Sequence, residues 1–160
     1  MKPELLCPAG NMDSLRAALH FGADAVYGGM KHFGLRAFAG NFDEAALQEA
    51  VALTHYAGKK FYLTMNIFPF DDQMEGFVAA GKRAYELGVD AVIVSDLGAI
   101  VALREAVPEL CIHVSTQAST VNSHAVAHYA SLGCQRVILA REVSIERMKA
   151  LHEKVPHMEL

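Results

Sequence analysis

Arg141-Glu142 sets a guanidinium beside a carboxyl. The first can bind a carboxylate, and the second can act as a general acid or base. The same pair can instead form a salt bridge at the start of a helix. Asp96 has the same two sides: a base or ribose contact, or the N-cap of the helix that follows it. His113, Ser115 and Gln117 alternate with Ile112, Val114 and Thr116, so they share one face of an extended strand. With that face turned inward, His113 becomes a candidate catalytic group. The alternative is a core histidine bonded to a neighbouring strand. Asn66 closes another apolar run and can orient a ligand. Arg36, with Lys31 and His32, sits in a Gly-rich stretch, where the cations can meet an anionic ligand or an RNA phosphate, or remain solvated.

Other constellations carry less. His124 and His128 share a helix face, the spacing of a possible metal pair. No Glu lies between them as in HExxH and no third ligand is evident, so they read as a surface pair, and no metal site is expected. Cys7, Cys111 and Cys134 are odd in number and far apart, giving neither a disulfide framework nor a CxxC motif. Reduced thiols and a cytoplasmic location are the default. There is no GxSxG, P-loop or zinc motif.

The elements that must position these residues alternate regularly. Strands are expected at Leu5–Cys7, Ala25–Tyr27, Phe61–Met65, Ala91–Val94, Ile112–Ser115 and Val137–Leu139. Helices are expected from Asn11 to about Phe21, Asp43 to Ala57, about Gln73 to Leu87, Leu97 to Ala106, Ser123 to Leu132, and Ser144 to about Lys154. A Gly-rich loop spans about Gly28 to Phe42. Met158-Glu159-Leu160 reads as the start of one more strand. Phe21-Gly22-Ala23-Asp24-Ala25-Val26, Leu87-Gly88-Val89-Asp90-Ala91-Val92 and Leu132-Gly133-Cys134-Gln135-Arg136-Val137 share one grammar: apolar helix end, capping Gly, polar turn residue, strand. Such short turns fit consecutive βα units and a parallel sheet.

The expected fold is therefore α/β, a parallel (βα) barrel of TIM type. It is incomplete, with about six βα units and the start of a seventh strand, since eight units at roughly 26 residues each would need about 210. A doubly wound open sheet competes, but no GxGxxG follows the first strand. In either architecture ligands bind at the carboxyl ends of the strands. That is where Tyr27-Gly28-Gly29, Asn66, Ser95-Asp96, Ser115-Thr116-Gln117 and Arg141-Glu142 fall.

The chain has 160 residues, 52% apolar and 20% charged, which excludes disorder and suits one domain over 1–160. Its net charge of −4 excludes an overall basic field, though not a local RNA-binding patch. No apolar run reaches the roughly 18 residues of a membrane span, so no membrane partner is expected.

Pro3-Glu4-Leu5-Leu6-Cys7-Pro8-Ala9-Gly10, followed by Gly22-Ala23-Asp24-Ala25-Val26-Tyr27-Gly28-Gly29, resembles the opening of the collagenase-like peptidases, the U-32 family. Leu35-Arg36-Ala37, Asn41-Phe42, Asn66-Ile67, Val94-Ser95-Asp96, His113 through Ala118, Asn122 and Arg136 through Glu142 continue the likeness in order, across essentially the whole chain. Branches of that family carry out oxygen-independent hydroxylations of tRNA wobble uridine, of a ribosomal cytidine and of the ubiquinone ring. The sequence is most similar to the tRNA branch. The resemblance implies tRNA and a small carboxylate such as prephenate, the oxygen source, as partners. It also implies an iron–sulfur cluster held by cysteines that follow a segment like Val155–Leu160. Those cysteines are absent here, and Cys7 stands where relatives carry Ala or Ser. No cofactor is therefore expected within this chain. It reads as the amino-terminal part of a longer protein, truncated before a cysteine-rich region.

On that resemblance Arg36 and Arg141 would contact an anion, Glu142 and Asp96 would be acid/base groups, and Asn66, Ser115 and Gln117 would orient the substrate. Two other readings stand beside it. A collagenase-like peptidase needs an activated nucleophile or a metal-bound water, and no constellation for either is evident. A non-catalytic barrel fragment would self-associate or pair with another chain through its unclosed sheet edges.

Overall fold

The computed structural model describes residues 3–30, 34 and 41–160. Six strands run β1 (Leu6–Pro8), β2 (Ala25–Gly29), β3 (Lys60–Met65), β4 (Ala91–Val94), β5 (Ile112–Val114) and β6 (Arg136–Val137). Between and after them come α1 (Met12–His20), α2 (Glu44–Tyr56), α3 (Asp71–Glu86), α4 (Leu97–Ala106), α5 (Ser123–Ser131) and α6 (Ile145–Lys154). The strands form one sheet in the order β1-β2-β3-β4-β5-β6, and every pairing is parallel. Sequential order with helical crossovers is the topology of a βα barrel rather than of a doubly wound sheet, whose strand order reverses.

The helix starts follow side-chain chemistry. Asn11, Asp43, Asp96 and Asn122 each accept from the backbone N–H three residues on, at 2.8, 2.9, 2.8 and 3.1 Å. Each such cap contributes about 1 kcal/mol. Ser144 caps α6 from Arg147 N at a longer 3.4 Å. α3 starts two residues before the expected Gln73, because Gln73 is the third helical residue and its Oε1 accepts from Phe70 N at 3.0 Å. Gly88 and Gly133, with φ of 80° and 77°, end α3 and α5 in the left-handed conformation that the repeated turn requires.

The sheet has two unlike faces. Val26, Phe61, Leu63, Val92, Val94, Ile112, Val114 and Val137 are buried under the helices, with Leu47, Val51, Phe77, Ile100, Leu103 and Val126 packed on them. This layer carries most of the apolar burial, at about 1.5–3 kcal/mol for each large side chain. The opposite face is a small cluster of Ala25, Tyr62, Ala91 and Ile93, edged by Leu6, Tyr27, Cys111 and Ile138.

The sheet curls around that inner face. Laid flat, β1 and β6 would lie five spacings of about 4.8 Å apart, or about 24 Å. Yet Arg136 Nη1, at the start of β6, donates to Glu4 Oε1, just before β1, at 2.8 Å. The architecture is a half-barrel. A seventh strand begins at its far edge: Glu159 bridges Arg136 in parallel, and Val137 N donates to Glu159 O at 2.9 Å.

β6 differs from expectation, covering Arg136–Val137 instead of Val137–Leu139. Ile138 N still donates to Val114 O at 2.9 Å, but the backbone beyond it is taken up elsewhere. Leu139 O accepts from Thr116 Oγ1 at 3.2 Å, and Ala140 N donates to Thr120 O at 3.1 Å. β5 likewise stops at Val114, because Ser115 caps a 3-10 turn at Thr116–Ala118. No helix among the described residues is long and apolar enough to cross a membrane.

Candidate functional site

The curl gathers the carboxyl ends of the strands around one cavity of about 450 Å³. That is within the usual range for a small-molecule site. Its depth is apolar, from Leu6, Tyr27, Ile93 and Ile138, and its upper wall is neutral and polar, from Asn41, Thr64, Asn66, Ser115 and Gln117. Gly29, which faces inward, keeps this part of the β2 wall bare. A Cβ on Gly29 would stand 2.8 Å from Thr64 Oγ1 and 3.1 Å from Asn41 Oδ1. Phe42 N donates to Gly29 O at 2.9 Å, which returns the chain to the end of β2 and sets Asn41 on the wall.

Four residues expected to bind substrate line this cavity: Asn66, Ser115, Gln117 and Arg141. The Ser115 side chain is buried and its Oγ accepts from Gln117 N at 3.2 Å, which shapes the turn that presents Gln117. Asn66 is held from below by Ser95 Oγ, which donates to its carbonyl at 3.1 Å. Arg141 is exposed on the rim, and among the described residues it forms no hydrogen bond or ion pair. Arg36 lies outside the described residues.

The three expected acid/base residues are not brought together. Glu142 leaves the first cavity and faces an adjoining cleft of about 250 Å³, shared with Thr116, Gln117, Ser119, Ala140 and Arg141. The salt bridge considered for Arg141 and Glu142 does not form among the described residues. Asp96 lines neither cleft, and its carboxylate caps α4 through Ala99 N. His113 does face inward, as strand parity requires, but one layer below the cavity and not at its mouth. Its ring packs edge-on to Tyr62 with centroids 4.7 Å apart. Its Nε2 lies 3.6 Å from Cys111 Sγ, and its Nδ1 is buried without a partner among the described residues. Burial, reinforced by the Arg136 charge, pushes His113 down to about 4.

Sequence reasoning placed Tyr27 among the strand ends, where it lines the wall, but missed Asn41 and Thr64. Tyr27 and Thr64 carry a readable signal, since both have the inward parity of their strands. It also missed a charged network at the opposite, amino ends of the strands. There Glu4 accepts from Arg136 and, at 2.9 Å, from Tyr62 Oη, while Arg136 Nη2 donates to Glu159 at 2.7 Å. Burial opposes ionisation of Glu4, but the bonds from Arg136 and Tyr62 outweigh it and hold the carboxyl below its usual range.

The three cysteines do not fit an iron–sulfur cluster, which takes four such ligands. Cys7 packs toward the helices, Cys111 lies on the inner face, and burial pushes Cys134 up to about 11. Among the described residues no three His, Cys, Asp or Glu side chains converge as metal ligands. His124 and His128 are exposed on α5.

Comparison with known proteins agrees with this arrangement. Residues 10–160 match the model of peptidase family U32. The chain is 42% identical over 159 residues to tRNA hydroxylation protein P of Escherichia coli K12, covering 99% of this chain and 35% of that protein. It is 31% identical over 153 residues to a collagenase of Porphyromonas gingivalis, covering 95% of this chain and 36% of that protein. The chain thus spans about a third of the length of the curated relatives it matches. Among solved structures, the U32 peptidase Mk0906 superposes with a TM-score of 0.75 at 15% identity, covering 96% of this chain and 67% of that one, a likeness of fold. The half-barrel, the cavity at its strand ends and the family match over nearly every residue agree: the chain belongs to peptidase family U32.

Proposed function

We propose that this chain supplies the cavity-bearing barrel segment of an oxygen-independent tRNA wobble-uridine hydroxylase. The observation that carries the reading is the 42% identity to tRNA hydroxylation protein P over 99% of the chain. The cavity supports it, because an exposed, unpaired Arg141 beside neutral amides and hydroxyls suits a nucleotide or a small carboxylate such as prephenate. tRNA is the macromolecular partner in this reading, and the location is the cytoplasm. A cluster of the kind the family resemblance implies would need cysteines other than Cys7, Cys111 and Cys134.

The collagenase relative keeps a peptidase reading in view. It has less chemical support here. Thr64, Ser115 and Thr116 are each bonded to backbone, and among the described residues no histidine lines the cavity. A nucleophile needs a base within hydrogen-bond reach. Association of half-barrels through the free edge of β1 is a third reading, and size-exclusion chromatography showing only a monomer would count against it.

Mass spectrometry of tRNA nucleosides tests the main reading, in cells lacking the gene, in wild type and in a rescued strain. The expected result is loss of the 5-hydroxyuridine-derived nucleosides and their return on rescue. Unchanged nucleosides, in a strain with no second copy of the gene, would remove it.

A further inference from the structure

Two candidate ligands compete for the cavity in the proposed reaction: the target base and the small carboxylate co-substrate. The distribution of charge separates them. Among the described residues lining the 450 Å³ cavity, Arg141 alone is charged, and it stands at the rim. Below it the walls are neutral, with Tyr27, Ile93 and Ile138 around the depth and Asn66, Ser115 and Gln117 above. A carboxylate drawn to that depth would lose water and gain no counter-charge from the described residues, which is costly. A planar neutral base has the opposite profile. Its faces suit Tyr27 and the isoleucines, and its polar edge suits amides and hydroxyls.

The second observation is that the cavity does not end at its rim. The adjoining cleft of about 250 Å³ opens beside the first, and Thr116, Gln117 and Arg141 line both. A neutral chamber and a polar cleft therefore meet at one guanidinium. Glu142 shares the outer cleft but does not pair with Arg141, so no described residue occupies the cation's donors.

We infer that the half-barrel takes a pyrimidine nucleotide base-first. The base sits in the inner chamber, and its phosphate lies in the outer cleft on Arg141. The proposal rests on the RNA-modification reading and makes that reading more specific. It assigns Arg141 to the nucleic acid rather than to the carboxylate co-substrate, and it makes Gln117, on the shared wall, the residue at the joint between base and sugar.

Calorimetric titration of the protein at its native length tests this with three probes: uridine 5′-monophosphate, uridine and phthalate, a planar dicarboxylate. The monophosphate should bind about ten-fold more tightly than uridine, the size of one charge-assisted hydrogen bond. Arg141→Gln should erase that ratio while leaving uridine affinity unchanged, and Arg141→Lys should restore part of it. Arg141 is exposed, and a circular dichroism spectrum identical to wild type would show that the variants fold. Equal affinity for the two uridine compounds in wild type would overturn the proposal, as would a loss of uridine binding in Arg141→Gln. Binding of neither uridine compound at millimolar concentration would do the same. Tight, Arg141-dependent binding of phthalate that uridine does not displace would give the chamber to the carboxylate. The nucleoside assay reads separately. Hydroxylation confirmed there alongside a failed titration removes only the base-first arrangement.

Discussion

His113 shows how far a single residue's chemistry depends on its depth. The alternation with Ser115 and Gln117 made its inward direction legible. Its depth was not, because that depends on the register of β5 against β4 and on Tyr62 two strands away, and local sequence does not encode either. Ser115 reaches the cavity wall, while His113, two residues earlier, packs among Tyr62, Cys111 and the Arg136–Glu4 pair. Burial disfavours its charged form first, and Arg136 and Lys60 add repulsion that Glu4 only partly offsets. The folded-state value of about 4 lies below the ordinary histidine value of 6.5, so between them the unfolded chain binds the extra proton. Stability from neutral His113 is thus full above about pH 6.5 and is lost as pH falls toward 4, by about 3 kcal/mol in all. Urea unfolding of wild type and His113→Gln at pH 7.5, 5.5 and 4.5 checks this. Wild type should lose the additional stability across that window, and the variant should not. Parallel curves for the two proteins would mean that His113 titrates normally.

At the scale of elements, the cavity wall depends on how closely three backbones meet at the end of β2. Gly28 faces the outer core, and a Cβ there would stand 2.7 Å from Ala9 O and 2.7 Å from Phe42 Cε2. Ala9 N donates to Tyr27 O at 2.8 Å, and Phe42 packs edge-on to Phe61, so neither neighbour can retreat without breaking a contact. Gly28→Ala should therefore destabilise by about 1–3 kcal/mol through overpacking, read as a lower thermal midpoint. A midpoint equal to wild type would show that the β1–β2 junction has slack. The Gly-Gly pair was visible in the sequence as a strand end, but the partner that demands Gly28 was not, since Phe42 lies well beyond it in the sequence. The helix starts were more legible because a cap is a local device. The expected helix starts Asn11, Asp43 and Ser144 are the residues that cap α1, α2 and α6, and Asp96, weighed as cap or base, forms the cap of α4. β6 ends earlier than expected because Thr116, in the turn that follows β5, takes the Leu139 carbonyl.

For the whole molecule, the order of six βα units was legible from the repeated Gly turns and β-branched runs, and with it the end of the sheet that bears the cavity. What closes the opposite end was not. Glu4 and Arg136 are 132 residues apart, and no periodicity relates them. Their side chains are 24% and 12% exposed, so the pair is largely withdrawn from water; Tyr62 donates to Glu4 and Glu159 accepts from Arg136 Nη2, while Arg136 Nε is buried without a partner among the described residues. Arg136 also lies over the Tyr62 ring, 5.2 Å from its centroid. A pair in this setting draws the first strand toward the sixth and fixes the curl that forms the cavity on the other side. Removing Arg136 leaves the Glu4 carboxylate without its guanidinium, at a cost of about 3 kcal/mol, whereas removing Glu4 leaves Arg136 paired with Glu159 and should cost less. Replacing both with neutral residues of similar size should cost less than the sum of the single changes. The measurement is a double-mutant cycle in urea with Arg136→Met, Glu4→Gln and the double variant, where a coupling above about 1 kcal/mol is expected. The same three proteins, titrated with uridine 5′-monophosphate, test whether the curl reaches the site. Neither residue lines the cavity, so weaker binding by the single variants would come through the shape of the sheet. A large coupling in stability with unchanged binding would make the network a fastening for the strand ends alone. Additive single changes would mean that the outer core by itself sets the curvature.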